Sequence, residues 1–286
     1  MTLRPPPGEA APDRDDPSLP PAVRAFDQTA PRFDERFGEW RSVEAQRRAV
    51  QRRLMSTFPS GARLLELGAG TGVDAVRLSM AGYEVTPTDG SPEMVARAAA
   101  KLRAAGFADG PTPRQLVIEE LGRFAERALA EGLAPFDGAY SNFAAFNCVE
   151  DLGAVAHPLA KLLKPGAHAV LVVFGPCSPG EILVEMLRGR PRAAVRRFRT
   201  GPAPARLGGE SFRVWYPSPA AFARAFAPHL RLRGVHGIGL LVPPSAAEPW
   251  ISRFPRIVSA MEATDRLLAS PLALLGDHVL LDFERP

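Results

Sequence analysis

The chain has 286 residues, of which 46% are hydrophobic and 23% charged, an ordinary balance for a globular protein with one large domain and insertions. Its net charge of +4 rests almost wholly on arginine, 32 against three lysines; with abundant Ala and Pro this pattern reads as coding bias and is no argument for nucleic acid. No apolar run nears the ~18 residues of a transmembrane helix, no h-region marks a secretory signal, and Cys148 and Cys177 stand outside any metal-ligand or disulfide spacing, which fits a cytoplasmic location.

Residues 1–22 carry seven prolines without apolar periodicity and read as a disordered tail. An N-terminal helical segment is expected over 23–60, with an amphipathic helix at Val43–Phe58. Leu64-Leu65-Glu66-Leu67 reads as a buried strand ending in Gly68-Ala69-Gly70-Thr71-Gly72. Three glycines spaced two apart allow a tight turn, so backbone can approach a ligand closely. A helix over 72–81 and a strand over 83–88 follow. Asp89 then lies 21 residues after Gly68, where an acid can hydrogen-bond two ribose hydroxyls. Ser91 and Pro92 suit the N-cap and first turn of a helix over 92–105.

Next come a strand near 114–118, a helix over 121–132, a strand over 136–141, a helix over 151–163 and a strand over 167–174. Strands alternating with helices predict an α/β fold with a doubly wound, mostly parallel sheet. The glycine turn and Asp89 fall at the carboxyl ends of its strands, where such sheets bind ligands. After Phe174 the pattern breaks. Glu181–Leu187 and Arg192–Arg199 read as helices, 201–209 as a Gly/Pro-rich loop, and Ser211–Tyr216 as a strand. Pro219–Phe226 reads as a helix, Leu230–Val242 as a strand, Trp250–Ala269 as a helix and Asp277–Phe283 as the last strand.

The glycine spacing discriminates between nucleotide-like ligands. The nicotinamide pattern G-x-G-x-x-G fails, because its sixth position is Val73. G-x-G-x-G with Glu66 two residues upstream resembles motif I of the class I S-adenosylmethionine (SAM)-dependent methyltransferases. An acid beside the loop suits a cationic sulfonium and would repel a pyrophosphate. Tyr83–Met94 resembles the family's second strand, acid and following helix, Phe136–Phe143 its fourth strand, and Leu163–Phe174 its fifth. The resemblance covers roughly residues 26–175 and leans towards the ubiquinone/menaquinone-type and other small-molecule methyltransferases.

The resemblance implies a Rossmann-like methyltransferase fold of seven strands with the last antiparallel. It divides the chain into a tail (1–22), a helical lid (23–60), a SAM-binding core (61–175), a helical cap insertion (176–215) and the rest of the core (216–286). It implies SAM as cofactor, with contacts from Phe33, Glu66, Gly68, Ala69, Gly70, Gly72, Asp89, Gly90, Ser91, Met94, Ser141, Asn142 and Phe143. Phe26-Asp27-Gln28-Thr29-Ala30-Pro31-Arg32-Phe33-Asp34 resembles the family's lid motif, with Phe33 where a Tyr is usual. The place of the acid that usually follows the third strand falls at Val117 or Ile118, with Glu119 and Glu120 just after; either the loop shifts or a backbone carbonyl serves the adenine.

Methyl transfer needs positioning and exclusion of water more than a catalytic dyad, and none is evident; the catalytic residues stay unassigned and no metal is expected. Among the histidines, His157 and His168 read as surface or packing residues, and His236 is the candidate for a pocket role. Asn147 either orients an acceptor or ties its loop. From Arg188 to Arg213 there are eight arginines and one acid, Glu210. They fit an anionic acceptor, a membrane-surface helix serving a lipophilic acceptor, or a solvated face shaped by coding bias. The acceptor is expected to be a small or medium-sized organic molecule. A nucleic-acid or protein methyltransferase, or a non-catalytic SAM-binding protein, stays open as an alternative, although Ser141-Asn142-Phe143-Ala144 lacks the N-P-P-[YFW] amino-methyltransferase motif.

Overall fold

The computed structural model describes residues 18–286 except Glu39, Pro111 and Thr200. The tail expected over 1–22 therefore lies outside the described residues as far as position 17. Helix α1 (Pro21–Thr29) starts on a proline at its first position, a 3-10 turn links it to α2 (Phe33–Phe37), and α3 spans Arg41–Thr57. The core then alternates: β1 (Arg63–Leu67), α4 (Val73–Met80), β2 (Glu84–Asp89), α5 (Pro92–Ala104), β3 (Arg114–Gln115), α6 (Leu121–Ala130), β4 (Phe136–Ser141), α7 (Leu152–Leu162) and β5 (Leu163–Phe174).

The cap holds α8 (Pro179–Leu187), α9 (Pro191–Ala194) and a hairpin of β6 (Ala203–Leu207) and β7 (Glu210–Val214). The core closes with α10 (Pro219–Phe226), β8 (Arg231–Ile238), α11 (Pro255–Leu268) and β9 (His278–Glu284). The seven-stranded sheet runs β3-β2-β1-β4-β5-β9-β8. β1 to β5 pair in parallel, and β9 lies antiparallel to both β5 and β8. Successive strand residues face opposite sides. Leu65, Leu67, Leu171 and Val173 pack with Phe124, Phe136, Phe222 and Phe226 on one face. Leu64, Val85, Val170 and Val172 pack with Val50, Leu54 and Leu78 on the other. Burial on both faces explains why these strands read as continuous apolar runs.

Four local expectations are corrected. The third strand pairs only at Arg114–Gln115, because the Leu116 N–H still bonds the Asp89 carbonyl (2.8 Å) but the chain then turns into a 3-10 helix at Ile118–Glu120. The segment expected as a loop over 201–209 forms β6. Gly208 and Gly209, at φ of 56° and 84°, close its hairpin with β7, the left-handed pair that a two-residue hairpin turn favours. Arg192–Arg199 is a four-residue α9 and a separate 3-10 turn. The helix expected from Trp250 breaks before Pro255, which starts α11.

Candidate functional site

The carboxyl ends of β1, β2, β4 and β5 open beneath α1, α2 and the hairpin, around a cavity of about 610 Å³. Gly68, Ala69 and Gly70 form part of its wall. Gly68 and Gly70 have φ of 73° and 55°, which glycine adopts without penalty. A Cβ on Gly68 would lie 2.5 Å from that of Ala145, so the turn after β4 is seated directly on the glycine loop. Phe143 and Ala144 in that turn also have positive φ, 52° and 70°. Such strain in non-glycine residues marks sites that the surrounding structure holds in place. It presents Asn142 and Phe143 to the cavity.

Asp89 ends β2 and faces the same space, with Gly90 and Met94 beside it. Its Oδ2 accepts from the Gly70 N–H (2.8 Å) and its Oδ1 from the Ser91 N–H (2.9 Å). Each oxygen keeps an accepting position free. Burial pushes the Asp89 carboxyl up, against those two N–H donors. Leu116, Val117 and Ile118 add an apolar wall next to Met94, and Glu119 stands at its end. Phe33 lines the opposite side from α2.

The other four expected residues stand behind the wall. Gly72 serves packing: a Cβ there would meet Ala98 of α5 at 2.8 Å. Ser91 caps α5 by accepting from the Met94 N–H and donates to Asp27 (2.6 Å). Glu66 is buried. Its Oε2, the Tyr140 hydroxyl and Ser141 Oγ have no hydrogen-bond partner among the described residues. Burial and then the neighbouring Asp74 carboxylate push Glu66 well above the ordinary carboxylate range.

Several residues at this site escaped sequence reasoning. Asp74, at the start of α4, pairs with Arg47 and accepts from Gln51 (2.9 Å) and Asn142 (2.8 Å). The Arg47 guanidinium also lies 4.9 Å over the Phe143 ring. Arg47 belongs to an arginine-rich helix, so nothing in its neighbours singled it out. Asp27 and Asp34, the two acids of the lid motif, act as latches. Asp27 caps α5 through Ser91 and the Glu93 N–H (2.9 Å). Asp34 accepts from Thr71 of the glycine loop (2.6 Å) and from Lys101 (2.7 Å). Burial raises the Asp34 carboxyl, but Lys101 and Thr71 outweigh it and hold it below its ordinary value.

The far half of the cavity is apolar and aromatic: Phe26, Val149, Phe174, Phe212, Val214 and Tyr216 line it. It is roofed where α1 meets β7. The Phe26 and Phe212 rings lie 6.2 Å apart, and Arg24 pairs with Glu210 at 3.1 Å. Asn147 does not face this space. It accepts from the Phe174 N–H (2.9 Å) and donates to the Trp215 carbonyl (2.7 Å), tying the cap to β5. None of the five histidines lines the cavity. His236, the pocket candidate, instead borders a separate hollow between α3, β8 and α11. Of the cap arginines, Arg196 reaches the cavity wall. Arg197 is buried on Glu181 and Asp277.

The profile of a methyltransferase-domain family matches residues 37–228. The chain belongs to that family. This methyltransferase is similar to a ubiquinone biosynthesis O-methyltransferase of Caulobacter sp. (strain K31), 33% identical over 114 residues, which are 40% of this chain and 41% of that protein. It is also similar to the biotin biosynthesis bifunctional protein BioCD of Bordetella avium (strain 197N), 25% identical over 238 residues, 79% of this chain and 45% of that protein. The chain thus spans less than half the length of these curated relatives. Its fold is that of the CcbJ methyltransferase from Streptomyces caelestis, at a TM-score of 0.58 and 15% identity, covering 91% of this chain and 98% of that one.

SAM is the methyl donor of this class I methyltransferase. The residues present suit it. The open backbone of the glycine loop and the Asp89 carboxylate line the cavity, and two further acids stand at the loop: Asp74, paired with Arg47, in the wall, and Glu66 buried behind it.

Proposed function

We propose that the protein methylates a small or medium-sized organic acceptor, held in the aromatic half of the cavity. The observation that carries this reading is continuity: glycine loop, Asp89 and aromatic half line one roofed cavity of about 610 Å³, within the ~300–1,000 Å³ of small-molecule sites. In this reading Asp89 takes the ribose hydroxyls, and Met94 with Leu116–Ile118 encloses the adenine. Gly68–Gly70, Asn142 and Phe143 bound the methionine end, where Glu66, ionised once a sulfonium is bound, would favour positive charge. Bound there, SAM supplies a methyl group already activated by its sulfonium.

The chain's own contribution is then placement and dryness. Phe26, Phe174, Phe212 and Tyr216 hold the acceptor's apolar body, and the α1–β7 roof shields it on one side. Burial pushes the Cys148 thiol up to about 12 and also raises Tyr216, so neither carries a negative charge at neutral pH. This favours an acceptor that needs little help from a base.

The roof also supports a small acceptor over a nucleic acid or protein, since α1 packs on the hairpin beside the cavity. The curated relatives, named for ubiquinone and biotin biosynthesis, support a role in small-molecule or secondary metabolism. No helix among the described residues is long and apolar enough to cross a membrane. The free cysteines Cys148 and Cys177 support a cytoplasmic site. The test is a metabolite extract incubated with the protein and methyl-labelled SAM. Label in a small molecule is expected. Label in protein or RNA alone, or no transfer by a protein that binds SAM, would overturn the proposal.

A further inference from the structure

A helix lying on a globular core ordinarily turns its apolar face inward and its charges outward. α8 packs Val184 inward on a buried apolar cluster but otherwise departs from this. Glu181 and Glu185, one turn apart, are exposed by only 4% and 7%, whereas Leu183, Met186 and Leu187 are exposed by 61%, 55% and 80%. The inward acids are matched inside the cap. Glu181 holds Arg196 and Arg197, and Glu185 lies 3.6 Å from Arg188. Between Glu185 and Glu210 there are seven arginines and no acid. Arg190, Arg192 and Arg199 are exposed beside α8, together with Val195 and Phe198. The outer face of the cap therefore combines bare apolar side chains with guanidinium groups, those of Arg190, Arg192 and Arg199, that pair with no carboxylate among the described residues.

We propose that this α8–α9 face docks on an anionic lipid bilayer. The combination is what an interfacial element needs: apolar side chains that enter the acyl boundary, and cations that engage lipid phosphates. Charge complementarity selects the bilayer over a second copy of the chain, because two such faces would bring arginine against arginine. The arrangement also gives the cap a purpose in catalysis. Arg196 and the hairpin, on the same insertion, line the acceptor half of the cavity. A lipophilic acceptor leaving the bilayer would meet the cavity at the cap. That last step rests on the proposed function; the docking itself does not.

The experiment is co-sedimentation of the full chain with phosphatidylcholine vesicles, with and without phosphatidylglycerol. Binding to the mixed vesicles, weakened by salt, and none to pure phosphatidylcholine are expected. Replacing Arg190, Arg192 and Arg199 by Ser should weaken partitioning by roughly a hundredfold. Leu187→Ser, singly and with Leu183→Ser and Met186→Ser, should weaken it by at least about tenfold. None of these residues lines the cavity, so SAM affinity by calorimetry should stay unchanged and certify the fold. Absence of binding to mixed vesicles, or equal binding by the variants, would overturn the proposal. Competition by free glycerol phosphate would overturn it too, by pointing to a soluble phosphate site. So would a dimer in ultracentrifugation that Leu187→Ser dissolves, with no vesicle binding.

Discussion

Asp89 ends β2 with each carboxylate oxygen held by one backbone N–H, from Gly70 and from Ser91. A carboxylate taking two ribose hydroxyls is a charge-assisted contact of about 1.5–3 kcal/mol. Asp89→Ala should therefore weaken SAM binding by roughly tenfold to a hundredfold, read by calorimetry with the circular dichroism spectrum unchanged; an unaltered affinity would show that another group holds the ribose. Glu66 makes a different prediction. Its folded carboxyl is raised well above its ordinary 4.5 by burial and by Asp74. Without ligand, its contribution to stability is full below that value and is lost as pH rises through the raised one. A cation at the glycine loop favours the ionised form. SAM should therefore bind more tightly as pH rises, with release of a proton. Glu66→Gln should flatten that dependence, measured by calorimetry in two buffers of different ionisation enthalpy. An equal slope in both proteins would show that Glu66 does not carry the coupling.

At the scale of elements, two attachments hold the roof in place. α1 is latched to α5 by Asp27, which completes the cap begun by Ser91. Loss of such a cap costs about 0.5–2 kcal/mol. Asp27→Ala should lower the unfolding free energy in urea by that amount and also weaken SAM, because Met94 sits on the capped helix. The cap insertion is anchored by Arg197. It donates to Glu181 (2.5 Å), Asp277 (2.6 Å) and the Gly175 carbonyl (3.0 Å), all buried. Burial alone would raise the Asp277 carboxyl, but His278 and Arg197 hold it far below the usual range. Breaking a buried pair on one side costs about 3–5 kcal/mol. Arg197→Ala should thus appear as a loss of stability in urea unfolding rather than as a raised acceptor KM. A raised KM with full stability would return Arg197 to the substrate.

For the whole molecule, the alternation of strand and helix, the glycine loop and Asp89 were legible because each follows from local chemistry: apolar period, missing Cβ, acid at a strand end. The cavity residues Phe33, Met94, Asn142 and Phe143 were legible through family resemblance. What was not legible depends on distance in the chain. Asp74 meets Arg47 across 27 positions and Asn142 across 68, and no local pattern announces such a pairing. β6 was hidden by its Gly and Pro content, although Gly208-Gly209 is a hairpin signal in hindsight. The inverted face of α8 was invisible because periodicity shows which residues share a side, not which side turns inward.

Everything proposed for the cavity depends on its being built for SAM and not for a dinucleotide. Calorimetric titration of the purified protein with SAM, S-adenosylhomocysteine and NAD separates the two. Saturable binding of the first two at one site, and no heat with NAD, is the expected result. Binding of NAD without binding of SAM would refute it.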